Sequence, residues 1–286
     1  MMLPVLPAKY YLTHFFEMIE FLETHDPLLL EESHRAFLRD FRSLSEGAQC
    51  AFVRMVNRKG FLFRRHDFLK YREIENPEMA LHELECSGFA GSVGSQDVLE
   101  LAKVLTKPQL EKWLKSQGLR NLRSSLKKSE LIDLLLKERG SLELGNCPGY
   151  SDWLSQERRA EVDYLLFLYF GRSQTSLNLY TLRDLGVRQA AQTKTQYKPR
   201  FRRLEEAKVA YELACLDNEV EKLTSLQDMT TFIERIRGLS GLSSSALEQR
   251  SKLMLFVAKQ AESLDLSYAM KLLAETPLHP ARERLV

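Results

Sequence analysis

Cysteine is scarce and scattered: Cys50, Cys86, Cys147 and Cys215 form no C-x-x-C pair in the 286 residues. That spacing argues against a disulfide framework and against a cysteine-rich zinc site. The N-terminus carries no basic start followed by a long apolar stretch, so no signal peptide is expected. The longest apolar run, Tyr164 to Phe170, is far too short to cross a bilayer, and a soluble intracellular protein is the class that fits. The six histidines are dispersed, and His82-Glu83-Leu84-Glu85-Cys86 lacks the second histidine of a zinc-protease helix. No G-x-S-x-G nucleophile motif occurs either.

What the chain does have is segregated charge. The net charge of +2 hides it. Between Phe52 and Ile74 lie Arg54, Arg58, Lys59, Arg64, Arg65, Lys70 and Arg72, against only Asp67 and Glu73. Between Lys103 and Lys128 lie Lys107, Lys112, Lys115, Arg120, Arg123 and Lys127, against the single acid Glu111. Residues 75 to 100 hold six acids and no Lys or Arg. Basic blocks separated by an acidic one point to a polyanion-binding face; the plainer reading is solvated helix surface.

The apolar periodicity predicts a chain that is mainly α. Tyr11, Leu12, Phe15, Ile19 and Leu22 recur at helical spacing, and Phe37, Leu38 and Phe41 mark a second helix. Ser45 is the expected N-cap of a third, with Ala48, Phe52, Met55 and Val56 inward, Arg54 and Arg58 on the opposite face, and Gly60 closing it in the left-handed conformation. Residues 61–65 and 68–72 then read as two short strands joined at His66-Asp67. Helix plus basic hairpin outlines a winged helix, whose helix and wing grip adjacent phosphates. On this reading Arg54, Arg58, Lys59, Arg64 and Arg65 converge on one DNA-binding patch. The aromatics among them, Phe52, Phe61, Phe63, Phe68 and Tyr71, are read as core in preference to base-stacking groups.

Residues 105–138 form a compact unit. Thr106 starts a helix with Pro108 in its first turn and Leu110, Trp113 and Leu114 inside; Gly118 ends it. A second helix starts near Lys127 and buries Leu131, Leu134 and Leu135. This pair, with its Lys-Lys-x-Glu-Leu-Ile start, resembles a SAP domain. The resemblance implies backbone binding to DNA, which suits Lys107, Lys112, Lys115, Arg120 and Arg123, and Lys127 and Lys128 at a helix N-terminus. The segment 141–155, with Gly145, Pro148 and Gly149, reads as a linker. Helices follow at Tyr164 to Phe170, ending at Gly171; along Leu204, Ala207, Tyr211 and Ala214; along Leu253, Phe256, Val257 and Ala261; and at Tyr268 to Leu273. Their pairing suggests a tetratricopeptide-like array without a clean repeat. Pro280 to Val286 reads as the opening of one more helix, and thus as a truncated end.

The resulting architecture has a winged-helix-like N-terminal domain with a small β-hairpin (1–100), a SAP-like helix pair (101–140), the linker (141–155) and a helical array (156–286). In order along the chain, these segments resemble the Fanconi-associated nuclease family. The residues that carry the resemblance are Tyr10-Tyr11-Leu12 with Phe15, Leu44-Ser45 with Ala48-Gln49, Phe52-Val53-Arg54 with Arg58-Lys59-Gly60, and Phe63-Arg64 with Tyr71 and Glu73-Ile74. Leu168-Tyr169-Phe170-Gly171 and Leu182 with Asp184-Leu185-Gly186 continue it.

The resemblance implies a phosphodiesterase I-type, structure-specific nuclease of interstrand crosslink repair, acting on 5′-flap and related branched DNA. It implies DNA-repair proteins as partners, a homodimer on DNA and no membrane. Some relatives open with a ubiquitin-binding zinc finger; this chain opens near Tyr10 and resembles the bacterial type, for which a cytoplasmic, nucleoid-associated location is expected. The family's VRR-NUC domain, which holds Mg²⁺ or Mn²⁺, has no counterpart here, so no catalytic residue, metal site or cofactor is expected in this chain and it is expected to be inactive alone. Glu206-Ala207-Lys208 has the Glu-x-Lys spacing with Asp184 upstream, but it falls in a helical pattern, where residues two apart diverge. Lys198, Arg200, Arg202 and Arg203, with Lys194 upstream, are candidates for a 5′-phosphate pocket, Tyr197 and Phe201 lying between them; Arg suits phosphate because its planar fork donates twice. The other reading of that cluster is a basic loop leading into a helix. A non-catalytic helical protein-interaction scaffold is the alternative function.

Overall fold

The computed structural model describes residues 6–119, 122–123, 125–137, 143–173, 177 and 197–276. They are mainly helical with one small antiparallel sheet, as the periodicity expects. The chain divides into two compact units: Met1–Phe16, Ala36–Arg159 and Ser176–Ala190 form the first, and Glu17–Arg35, Ala160–Thr175 and Ala191–Val286 the second. Of the segments singled out in the sequence, Arg120, residues 141–142, Leu182, Asp184-Leu185-Gly186, Lys194 and Pro280 to Val286 lie outside the described residues.

In the first unit the core forms where three apolar stripes meet, on α1 (Tyr10–His25) up to Phe16, on α2 (Glu32–Ser43) from Ala36, and on α3 (Glu46–Val56). Phe15, Phe37, Phe41, Phe52 and Phe89 are all fully buried there. Phe15 meets Phe41 edge-on at 4.9 Å and Phe52 meets Phe89 at 5.0 Å, the geometry the ring quadrupole favours. Each such ring contributes about 2 kcal/mol by leaving water. Ser45 caps α3 as expected, its Oγ accepting from the Ala48 N–H at 3.3 Å. Gly60 takes the left-handed conformation, φ +84°.

The expected hairpin is corrected. Leu62–Arg64 is a strand, β1, but residues Arg65–Lys70 coil into a 3-10 helix. Phe68 is buried, Leu69 and Lys70 are exposed, and Tyr71 is half-buried. Inward positions three apart fit a helical turn, whereas a strand would have put Phe68 and Lys70 on one face. The partner of β1 comes instead from the stretch read as a linker. Trp153–Gln156 is the central strand, β3, between β1 and β2 (Ala90–Ser92). Phe63 and Ser92 both register against Leu154. All four residues of β3 are buried, so no alternation announces it.

Next comes α4 (Pro77–Cys86), capped by Asn76, whose Oδ1 accepts from the Met79 N–H at 3.1 Å. The helix pair expected after residue 100 is present as α6 (Lys107–Ser116) and α7 (Lys128–Lys137), preceded by a further helix, α5 (Val98–Val104). Leu101, Leu110, Trp113, Leu114, Leu131 and Leu135 are fully buried between them.

In the second unit α8 (Arg159–Phe170) ends at Gly171, φ +74°. Beyond it lie α9 (Leu204–Glu219), α10 (Leu226–Gly238), α11 (Ser244–Ala261) and α12 (Leu266–Glu275). They share one core, in which Leu213, Leu216, Ile233, Ile236, Val257 and Leu272 are fully buried. Side-chain caps at Ser225, Ser243 and Asp265 start the last three of these helices.

Candidate nucleic-acid interface

The five N-terminal cations do not play one role. Arg54 is half-buried: its guanidinium lies 3.9 Å from the Tyr11 ring centre and 4.5 Å from that of Tyr71, and it pairs with Glu73. The Tyr11 hydroxyl donates to the same carboxylate at 2.9 Å. Burial works to raise the Glu73 carboxyl pKa, but the bonds from Arg54, its own backbone and Tyr11 outweigh that and hold it below the ordinary value. Burial pushes the Tyr11 phenol well up. The expectation that Arg54 points away from the packed face is therefore corrected; Tyr11 and Glu73 close over it.

Arg58 is the outer partner. Its guanidinium donates to the Tyr71 hydroxyl and sits 5.5 Å from that ring's centre. With Tyr10, Tyr11, Arg54, Asn57, Tyr71 and Leu177 it lines a cavity of about 120 Å³. Lys59 is exposed beside it. Arg64 stacks over Trp153 at 4.7 Å, and Arg65 pairs with Glu85. Two arginines and three tyrosines around one opening can hold an anionic, planar-based ligand: guanidinium for phosphate, ring faces for a base or sugar. Tyr10, Tyr11, Asn57 and Tyr71 were not among the sequence's site candidates. The available signal was Tyr10-Tyr11 and Tyr71 in the same segment as Arg54, near the end of α3, and Arg58 just beyond it.

In the helix pair, Lys112, Lys115, Arg123 and Lys127 are exposed, while Lys107 pairs with Glu111 at 3.7 Å. Lys128 is tethered, its Nζ donating to the Lys103 carbonyl at the end of α5. The first turn of α7 already holds a carboxylate, since Glu130 accepts from the Lys127 N–H.

Of the four phosphate-pocket candidates, Arg200 has a structural role. Its Nη1 donates to the Leu168 carbonyl at 3.1 Å, closing the C-terminus of α8. Lys198 and Arg203 are exposed; Arg202 lines a cleft of about 430 Å³ with Asp26, Leu28 and Phe201. Glu206 and Lys208 lie on α9 as expected: Glu206 accepts from the Arg202 N–H at 3.1 Å and Lys208 pairs with Glu31 at 2.7 Å. Among the described residues no group of three or more His, Cys, Asp or Glu is placed to hold a metal ion. No described helix is long and apolar enough to cross a membrane.

Residues 9–91, which hold the Arg54–Glu73 clasp and every lining residue of the tyrosine-lined cavity but Leu177, match the family model described as FAN1, HTH domain. Over 187 residues the chain is 29% identical to the Fanconi-associated nuclease 1 homolog of Pseudomonas aeruginosa, covering 64% of this chain and 33% of that protein. It is 29% identical over 194 residues to the Oryza sativa subsp. japonica homolog, covering 62% of this chain and 20% of that protein. The fold superposes on a crystal structure of paFAN1 bound to a 2-nucleotide 5′-flap DNA with gap: TM-score 0.81, 24% identity, 98% of this chain and 51% of that one. The fold is a mainly α, winged-helix-type one with a helical array. The chain is thus similar to Fanconi-associated nucleases over about two thirds of its length, with their HTH domain matched at residues 9–91. It spans about a third of the bacterial relative's length.

Proposed function

We propose that this chain is the DNA-binding part of a structure-specific nuclease, holding branched or flapped DNA for cleavage by a metal-dependent VRR-NUC domain elsewhere in a longer protein. The observation that carries the reading is the cavity lined by Arg58 and Tyr71 together with Arg54, which Glu73 holds between the Tyr11 and Tyr71 rings. Phosphate contacts made there position a duplex without reading its sequence, which is what recognition of a junction requires. The exposed Lys112, Lys115, Arg123 and Lys127 extend the contact along a second stretch of backbone, in the manner of a SAP domain. The relatives' printed names and the 5′-flap DNA in the superposed paFAN1 structure support a flap substrate.

On this reading the parent protein is a nuclease of interstrand crosslink repair that works with other repair proteins, and this chain supplies no catalytic group. The Mg²⁺ or Mn²⁺ would bind outside it, since its one Glu-x-Lys triplet is helical and its charged ends are engaged. The test is an anisotropy titration of 5′-flap DNA over a salt series. Steeply salt-dependent binding, with a slope of about −0.9 per phosphate contact and a preference for flap over plain duplex, is expected. Weak binding with a flat salt response would favour the protein-interaction scaffold instead.

A further inference from the structure

Between the first turn of α3 and α4, the latter from the stretch of chain that carries acids but neither Lys nor Arg, the surface opens into a groove of about 560 Å³. Its carbon lining includes Gly47, Met79 and Ala80, and Met79 is 68% exposed on the first turn of α4. Glu46, Glu73, Glu75 and Glu83 line it as well, Glu73 held by Arg54 and Glu83 accepting from the Ser45 N–H and hydroxyl. Lys9, which pairs with Glu46 at 2.6 Å, is the one cation in the lining, so the groove keeps a net negative charge. Carboxylates in this number repel a phosphate backbone, so the groove does not extend the nucleic-acid interface.

We propose that this groove docks a short basic segment of a protein partner, one that carries Lys or Arg on either side of a single apolar residue. Methionine is unbranched and polarisable, so Met79 can repack around an apolar anchor of varied shape. Long basic side chains lay their methylene stems along such carbon surface while their charged ends reach the rim. Glu75 is exposed, in place to meet one of those ends with a charge-assisted bond, and Glu46 can meet another by exchanging Lys9 for it. The groove and the DNA-binding cavity share no lining residue, and none of Arg58, Lys59 or Tyr71 lines the groove; Glu73, which does, faces Arg54 and is left unchanged in the test below.

The test uses a fluorescein-labelled heptapeptide, K-R-K-L-K-R-K, titrated against the whole chain. Saturable binding is expected, weakened about tenfold by the double variant Met79→Lys, Glu75→Lys, the loss that goes with removing a charge-assisted bond and its apolar anchor. The isosteric Glu75→Gln should weaken it in the same direction, which covers a folding defect in the double variant. Reversing an exposed acid elsewhere, Glu221→Lys, should leave it unchanged, and Arg58→Glu should keep peptide binding while losing DNA. Absence of saturable binding, or an equal loss with Glu221→Lys, would overturn the proposal.

Discussion

Arg54 donates through both Nε and Nη2 to a single oxygen of Glu73, at 3.1 and 2.5 Å. The Glu73 side chain is only 8% exposed and that of Arg54 24%, so the pair stands between a surface ion pair and a buried one. Truncation at Arg54 leaves the carboxylate short of its main partner and opens the space between Tyr11 and Tyr71. Arg54→Ala should therefore lower stability by about 2 kcal/mol, and Arg54→Glu by more. Thermal unfolding of the two variants checks this; unchanged melting would show that the clasp contributes nothing to the fold.

The same pair gives a pH dependence. Glu73 is depressed in the folded chain relative to its ordinary 4.5. A carboxylate of that kind contributes stability that is present above the unfolded pKa and lost as pH falls through the folded one. Urea unfolding midpoints should thus drop more steeply on acidification below about pH 4.5 for the native chain than for Glu73→Gln. Parallel pH profiles would contradict the assignment.

Gly171 and Arg200 form a second clasp. A Cβ on Gly171, at φ +74°, would sit 2.4 Å from the Arg200 guanidinium carbon. Gly171→Ala should cost about 1 kcal/mol or more through the left-handed backbone alone, and more again because Arg200 must release the Leu168 carbonyl. Combining it with Arg200→Ala should give less than the sum of the two losses in chemical denaturation. Strict additivity would show that Arg200 is not bound to that helix end.

Within the helix pair the two lysines should separate. Lys127→Ala should reduce the salt slope of DNA binding by up to about 0.9, the share of one phosphate. Lys128 is held by the Lys103 carbonyl, so Lys128→Ala should change melting temperature more than it changes that slope. Equal slope changes for both would mean that Lys128 leaves its tether to reach DNA.

What the sequence made legible was whatever depends on near neighbours. The apolar stripes of Phe15, Phe37, Phe41 and Phe52, the Ser45 cap, and the left-handed turns at Gly60, Gly118 and Gly171 all follow from spacings of a few residues. The sheet did not, because Phe63 meets Leu154 about ninety positions away and β3 lies in a stretch rich in glycine and proline. The clasp was missed for the same reason. Glu73 reaches Tyr11 across 62 positions, and nothing local to Arg54 reveals a carboxylate that removes it from the solvent face. The basic blocks showed where anions could bind, but which cations were already committed to Glu73, Glu85, Lys103 or Leu168 emerged only with the fold.

The most direct test of the DNA-binding account is an affinity titration of the double reversal Arg58→Glu, Lys59→Glu on 5′-flap DNA, alongside thermal unfolding of the same protein. Arg58 and Lys59 stand outside the Arg54–Glu73 pair, so melting should stay within a few degrees of the native chain. Affinity should fall by about a hundredfold or more, as two phosphate contacts turn repulsive. Native affinity in a variant that melts normally would contradict the account.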